Sequence, residues 1–148
     1  DEAGLPCVTT AAAIVDALEA MNISRVSVAT PYDKRLNDHE VGFLSEQGIE
    51  VLAIEGLGLG ANGPSDYPQI HRVPSARIVE LAKSVDKPEA QALLISCTDF
   101  PTFNIIAQLE DQLGKPVITS NQATLWAAMR AAGLDDHLDN LGQLFRQH

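Results

Sequence analysis

Residues 93–101, LLISCTDFP, carry a hydrophobic run into a cysteine, a hydroxyl, a carboxylate and a proline. The apolar and small residues from Leu93 to Ser96 predict the end of a buried strand. Pro101 suits the first turn of a helix, because proline lacks the backbone N–H that this turn leaves unbonded. The stretch therefore predicts that Cys97 lies at a strand-to-helix junction, where the positive end of the helix dipole favours a thiolate.

Strand and helix patterns alternate on both sides of this junction. Strand patterns, alternating and β-branched at 24–31, predict strands there and at 49–59, 92–96 and 116–120. Helical spacing predicts helices at 9–21, 36–48, 74–85, 101–114 and 122–133. Asn37 is the predicted cap of the second helix. This alternation predicts an α/β fold, a flavodoxin-like four-stranded parallel sheet of order 2-1-3-4 with helices on both faces. Functional loops of such folds gather at the carboxyl ends of the strands.

The composition argues against a nucleic-acid-binding, membrane-spanning or secreted protein. The chain has 148 residues, 45% of them hydrophobic, and a net charge of −10. That charge argues against a nucleic-acid partner, because phosphate binding needs a basic surface. No apolar run approaches the roughly 18 residues of a membrane helix, and the acidic start DEAGLPC lacks the basic region of a signal peptide. These features predict a cytoplasmic protein without a membrane partner.

The two cysteines and four histidines indicate whether the chain contains a disulfide or a metal site. A disulfide between Cys7 and Cys97 is one possibility, although a cytoplasmic chain favours free thiols. The histidines show no metal-ligand spacing, so we expect them on the surface and expect no metal and no cofactor; they are His39, His71, His137 and His148.

A glycine-rich stretch, GLGLGANG at 56–63, has the spacing of a dinucleotide-binding loop through Gly58, Gly60 and Gly63. That motif must open a helix that presents N–H groups to a pyrophosphate, and the following PSDYPQIHRVP does not fit such a helix. A loop with left-handed glycines is the favoured interpretation. An intermediate possibility is that Asn62 on this loop reaches over a ligand.

Two residues at strand ends have both a structural and a functional interpretation. Cys97 is either a buried structural thiol or a catalytic one. Tyr32, which follows Pro31, is either a packed loop residue or a ligand contact. The residues alone leave both alternatives open.

Five segments together resemble the aspartate/glutamate racemase superfamily, and within it the maleate cis–trans isomerases and arylmalonate decarboxylases. They are GLPCVTT (4–10), RVSVATPYDKRLN (25–37), LLISCT (93–98), LEDQLGKPVITSNQATLWAAMRAAG (109–133) and LGQLF (141–145). Members of this superfamily have two similar α/β halves with the active site between them. The resemblance implies that residues 1–148 are the second, C-terminal half, with an opening helix at 9–21 and a helical tail at 122–147. The first half is absent from this chain, and Cys7 lies in the connector.

The resemblance also implies a function and a set of site residues. Cys97 matches a catalytic cysteine, Tyr32 and Thr98 match residues that hold a substrate carboxylate, and Asn62 resembles a substrate-contacting asparagine. The implied activity is cofactor-independent cis–trans isomerisation of a small dicarboxylate, maleate to fumarate. Arylmalonate-type decarboxylation and amino-acid or hydantoin-type racemisation are alternatives, as is a non-catalytic ligand-binding or dimerising half-domain. The implied partners are the dicarboxylate, the missing N-terminal half and a second copy in a homo-oligomer.

Overall fold

A computed structural model describes residues 7–148 and places four parallel strands in one sheet. The strands are β1 (Arg25–Tyr32), β2 (Glu50–Leu59), β3 (Ala92–Ile95) and β4 (Val117–Thr119). Their spatial order is β2-β1-β3-β4, with β1 paired to both β2 and β3 and β3 paired to β4. The predicted fold class and strand order are confirmed.

Within residues 7–148, six α-helices connect and cover the strands. They are α1 (Thr10–Ala20), α2 (Lys34–Glu46), α3 (Ser75–Val85), α4 (Ile106–Leu113), α5 (Ser120–Ala131) and α6 (Gly142–Gln147), with 3-10 helices at Pro64–Arg72 and Asp139–Leu141. Every position of β3 is buried, and successive side chains of a strand point to opposite faces, so both faces of the sheet centre are covered. Among residues 7–148, no helix is both long and apolar enough to cross a membrane.

The start of α2 differs from the prediction. Asp33, rather than Asn37, caps this helix, and its side chain accepts a hydrogen bond from the Leu36 N–H at 3.0 Å. Asn37 is buried inside the helix, where its Oδ1 accepts a hydrogen bond from the Thr30 hydroxyl at 2.6 Å. The cap lies earlier because Asp33 directly follows the end of β1 and already has the side-chain oxygen that a cap needs.

The segment after β3 also differs from the prediction. Helix α4 begins at Ile106 rather than at Pro101, and residues 98–105 form two turns joined by an irregular segment. Contacts to the β4–α5 junction hold these turns in place. The Thr102 hydroxyl donates to the Thr119 hydroxyl at 3.2 Å, and the Asn121 side chain donates to the Phe100 carbonyl at 3.0 Å. Cys97 therefore lies in the irregular segment between β3 and these turns, and α4 does not begin next to it.

A buried carboxylate ties the C-terminal tail to the rest of the sheet. Glu110 of α4 is 5% exposed and accepts hydrogen bonds from the backbone N–H groups of Val117 and Gln143. Its other oxygen lies 2.9 Å from the Arg146 guanidinium. A buried carboxylate is stable only when such donors satisfy it, so this cluster fixes α6 against α4 and β4.

Candidate functional site

A cavity of about 460 Å³ opens at the carboxyl ends of β1 and β3. Helices α1 and α2 and the start of α5 complete its wall. The lining residues combine aliphatic groups with hydroxyl, thiol and carboxyl groups: Thr10, Ala11, Ile14, Tyr32, His39, Glu40, Phe43, Leu44, Ser96, Cys97, Thr98 and Ser120. An apolar cavity with a few converging polar groups is typical of a small-molecule site.

The Cys97 thiol is held at the wall of this cavity by the turn that follows β3. The Ser96 N–H donates to the Ala29 carbonyl at 2.9 Å, which extends the pairing of β3 with β1 to the residue before the cysteine. The Asp99 N–H then donates to Sγ of Cys97 at 3.3 Å, and the side chain is 6% exposed. The predicted strand-to-helix junction at Cys97 is wrong, because α4 begins only at Ile106 and the amide that contacts the sulfur belongs to a turn.

Tyr32 is oriented by a polar cluster at the end of β1. The pairing of β1 with β2 is irregular between Thr30 and Tyr32, and the Tyr32 N–H donates to the Thr30 hydroxyl oxygen at 3.1 Å. Burial, followed by a hydrogen bond with Cys97 and the negative groups nearby, raises the pKa of the phenol well above its usual value. Tyr32 therefore stays a neutral O–H donor beside the thiol.

Three of the four predicted site residues meet at the cavity, and the fourth does not. Thr98 lines the cavity beside Cys97 and Tyr32, with its own side chain exposed. Asn62 lies on an exposed turn after β2, where its backbone and side-chain N–H groups donate to Asp66. It is not among the lining residues, so a substrate contact by Asn62 stays a prediction.

Residues 56–59 of the glycine-rich stretch belong to β2 rather than to a loop, although three of its glycines have the positive φ angles that were predicted. Gly58, Gly60 and Gly63 have φ values of +77°, +101° and +103°. The segment that follows is a 3-10 helix, and the Asp66 carboxylate accepts hydrogen bonds from the N–H groups of Gly60 and Asn62. An internal carboxylate thus occupies donors that a pyrophosphate would need.

Glu40 is a cavity residue that the sequence interpretation missed. It lies on α2 between the buried residues Asn37 and Leu44, at a spacing that places all three on one helix face. Burial raises the pKa of the Glu40 carboxyl, while a hydrogen bond with Ser96 opposes that rise. A glutamate in the core-facing register of an amphipathic helix was the pattern that would have identified it.

His39 and the two cysteines differ in exposure and in their position relative to the cavity. His39 is exposed as predicted, yet it also lines the rim of the cavity. Cys7 is exposed and Cys97 is buried, and both thiols are free, so the disulfide alternative is wrong. Residues 4–6, which precede Cys7 in the GLPCVTT segment, lie outside the described residues. Within residues 7–148, no group of three His, Cys, Asp or Glu side chains is placed to hold a metal ion.

Comparison with known proteins identifies relatives of the whole chain. The family model for arylmalonate decarboxylase matches residues 1–145. The arylmalonate decarboxylase of Bordetella bronchiseptica is 32% identical over 132 residues, which cover 88% of this chain and 53% of that protein. The maleate isomerase of Geobacillus stearothermophilus is 26% identical over 140 residues, which cover 94% of this chain and 54% of that protein. The chain spans about half the length of the curated relatives it matches.

Solved structures give the same result. A cysteine-to-alanine variant of the maleate isomerase Iso from Pseudomonas putida, with maleate, superposes with a TM-score of 0.90 at 28% identity, covering 98% of this chain and 56% of that one. A Nocardia farcinica maleate cis-trans isomerase variant with a covalently bound succinylcysteine intermediate has a TM-score of 0.87 at 25% identity, covering 94% of this chain and 55% of that one. With its sheet order, its strand-end cysteine and these matches, the chain belongs to the arylmalonate decarboxylase family of the aspartate/glutamate racemase-like superfamily.

Proposed function

We propose that this chain is the second half of a cofactor-independent enzyme that isomerises a small dicarboxylate, maleate to fumarate. The observation that carries the proposal is the placement of the Cys97 thiol and the neutral Tyr32 phenol at the wall of one cavity. The likeness to maleate isomerases over nearly the whole chain supports isomerisation as the reaction.

The polar groups of the cavity suit a reaction through an enediolate. Several lining residues carry O–H or N–H groups that can donate hydrogen bonds. They are Tyr32, Ser96, Thr98 and Ser120. Such donors stabilise the negative charge that spreads onto a substrate carboxylate when the neighbouring carbon becomes a carbanion. The site can therefore stabilise that charge with its own hydrogen-bond donors.

In the proposed isomerisation, a thiolate from the first half adds to one carbon of the double bond. A C–S bond forms, and the π electrons move onto the other carbon and its carboxylate as an enediolate. Cys97 then gives its proton to that carbon, and rotation occurs about the new single bond. The Cys97 thiolate takes a proton back from the same carbon, the double bond re-forms in the trans geometry, and the C–S bond breaks.

Arylmalonate-type decarboxylation is the second candidate. It is favoured by the matching family model and by the 32% identity to the Bordetella bronchiseptica enzyme. In that reaction the bond between the α-carbon and one carboxylate breaks, carbon dioxide leaves, and the bonding electrons stay on the α-carbon. Cys97 then protonates the resulting enediolate. Both reactions use the same thiol and the same donors, so a substrate test must separate them.

A direct assay separates the two candidates. The experiment uses the two-half protein, in which this chain follows a first half in one polypeptide. The two-half protein is incubated with maleate and, in parallel, with phenylmalonate, and the products are followed by proton NMR. We expect conversion of maleate to fumarate with phenylmalonate left intact. Release of phenylacetate without any fumarate would replace isomerisation by decarboxylation as the function.

Replacing Tyr32 tests the proposed donor. Tyr32→Phe in the two-half protein should lower kcat/KM roughly ten- to a thousandfold, because one charge-stabilising donor typically contributes about 2–4 kcal/mol in the transition state. Tyr67→Phe is the matched control, since Tyr67 packs against Gly60 and lies outside the cavity lining. Equal kcat/KM values in wild type and Tyr32→Phe would reduce Tyr32 to a packing role.

A further inference from the structure

Glu40 brings a second acidic side chain to the wall that carries Cys97. Helix α2 carries Glu40, which lines the cavity together with Ser96, Cys97 and its apolar neighbours Phe43 and Leu44. The charge of Glu40 also acts on Tyr32, whose phenol lies close enough for Glu40 to disfavour the phenolate. Glu40 is thus part of the cavity that holds the thiol.

The charges around this cavity create a conflict with an anionic substrate. Cys97, Glu40 and Asp99 are the acidic groups that act on Tyr32, and His39 is the titratable neighbour of Glu40 on α2. The residues supplied by α1 and α5 are uncharged, and within residues 7–148 no lysine or arginine lines the cavity. An ionised Glu40 would repel a dicarboxylate in this partly desolvated space.

Protonation of Glu40 removes its repulsion of the substrate and gives it an O–H group that can donate a hydrogen bond. A neutral carboxyl group has an O–H that can donate to a carboxylate, and such a charge-assisted hydrogen bond is among the stronger kinds. Resting on the proposed function, we propose that Glu40 is a substrate-binding residue that acts in its protonated form, donating a hydrogen bond to a substrate carboxylate. Binding of the dianion is then coupled to uptake of a proton by Glu40.

The coupling has a definite sign. Burial favours the neutral carboxyl, and an arriving anion favours it further. The binding-competent form is the protonated one, so affinity is full at low pH. It falls as pH rises through the titration of Glu40, by up to about tenfold per pH unit.

Calorimetry on the two-half protein measures this coupling directly. Fumarate is the main probe, because both of its carboxyl groups are ionised at neutral pH. Titrations in two buffers of different ionisation enthalpy give the number of protons taken up per fumarate bound. Glu40→Gln keeps the size and an N–H donor but cannot titrate, and Glu40→Ala removes the group. Glu46→Gln removes the same charge from the exposed end of α2 and is the matched control.

We expect wild type and Glu46→Gln to take up a proton fraction that approaches one at high pH. Glu40→Gln should take up none and should bind with a flat pH profile. At neutral pH its Kd should lie within about threefold of wild type, whereas Glu40→Ala should bind at least about tenfold more weakly. Binding without proton uptake in wild type, or undiminished uptake in Glu40→Gln, would overturn the role of Glu40.

Parallel titrations with phenylmalonate and aspartate separate this inference from the proposed reaction. Proton-linked binding of phenylmalonate alone, lost in Glu40→Gln, would keep the role of Glu40 and reject maleate isomerisation. Binding of aspartate alone, abolished in Glu40→Gln, would show that an ionised Glu40 holds an ammonium group and would overturn the inference. Failure of every dicarboxylate to bind at millimolar concentration would overturn both proposals.

Discussion

Cys97→Ser should lower the turnover of the two-half protein by roughly a hundred- to ten-thousandfold, the usual contribution of a general acid–base group. The serine hydroxyl is a far weaker acid than the thiol, so it protonates a carbanion poorly and returns the proton slowly. The substitution is nearly isosteric, and the serine oxygen can still accept the hydrogen bond that the Asp99 N–H donates to sulfur. The expected loss is therefore chemical, with the fold retained. Steady-state rates on maleate, together with thermal melting, measure both properties.

Cys7→Ser supplies the control for this experiment. Cys7 is exposed and is not among the residues that line the cavity, so its replacement should leave kcat within about twofold, as for other surface substitutions. Full activity in Cys97→Ser would return Cys97 to the role of a buried strand-end thiol. If Cys7→Ser lost activity while its melting temperature stayed unchanged, Cys7 in the connector would also take part in the reaction.

The chain of 148 residues alone should produce no detectable fumarate. The proposed isomerisation needs one thiol to add to the double bond and another to move the proton, and Cys97 is the cysteine among the described residues that lines the cavity. Without an added nucleophile the substrate keeps its double bond, and rotation stays blocked. The measurement compares fumarate formation by the isolated chain and by the two-half protein at equal concentration, with circular dichroism to establish that the isolated chain is folded.

The comparison also tests the non-catalytic alternative. If the two-half protein is active and the isolated chain is inactive, the result supports an active site to which both halves contribute residues. Turnover by the chain that matches the two-half protein would contradict it, because one thiol would then suffice. Inactivity of both proteins on maleate and phenylmalonate would favour a ligand-binding or dimerising half-domain.

Several elements were determined by the sequence itself. The aliphatic run of β3 predicts burial on both faces, and the alternation of four strands with helices predicts the parallel order β2-β1-β3-β4 that the sheet has. Once the order is set, the ends of β1 and β3 are neighbours, so Tyr32 and Cys97 must approach each other. Periodicity and strand-end position were sufficient because each depends on residues close together in the chain.

Tertiary contacts decided the remaining features. Pro101 fits a helix start, yet the bonds from Thr102 and Asn121 hold the preceding segment as turns, so α4 begins later and the thiol receives its hydrogen bond from a turn amide. Asn37 has the chemistry of a cap, but a partner on β1 draws its side chain into the core. These outcomes depend on which donor meets which acceptor across the fold, and a one-dimensional pattern does not contain those pairings.

The same limit applies to the site. Asn62 has the chemistry of a ligand contact, but Asp66 satisfies its N–H groups on an exposed turn. The helical register of Glu40 indicates that it faces the core, but only the packing of α2 against β2 and β1 places it at the cavity that also holds Ser96. The sequence alone determined the sheet and the meeting of a thiol with a phenol. The packing of helices on that sheet decided which other polar groups share the cavity, because burial and hydrogen-bond partners exist only once distant segments come together.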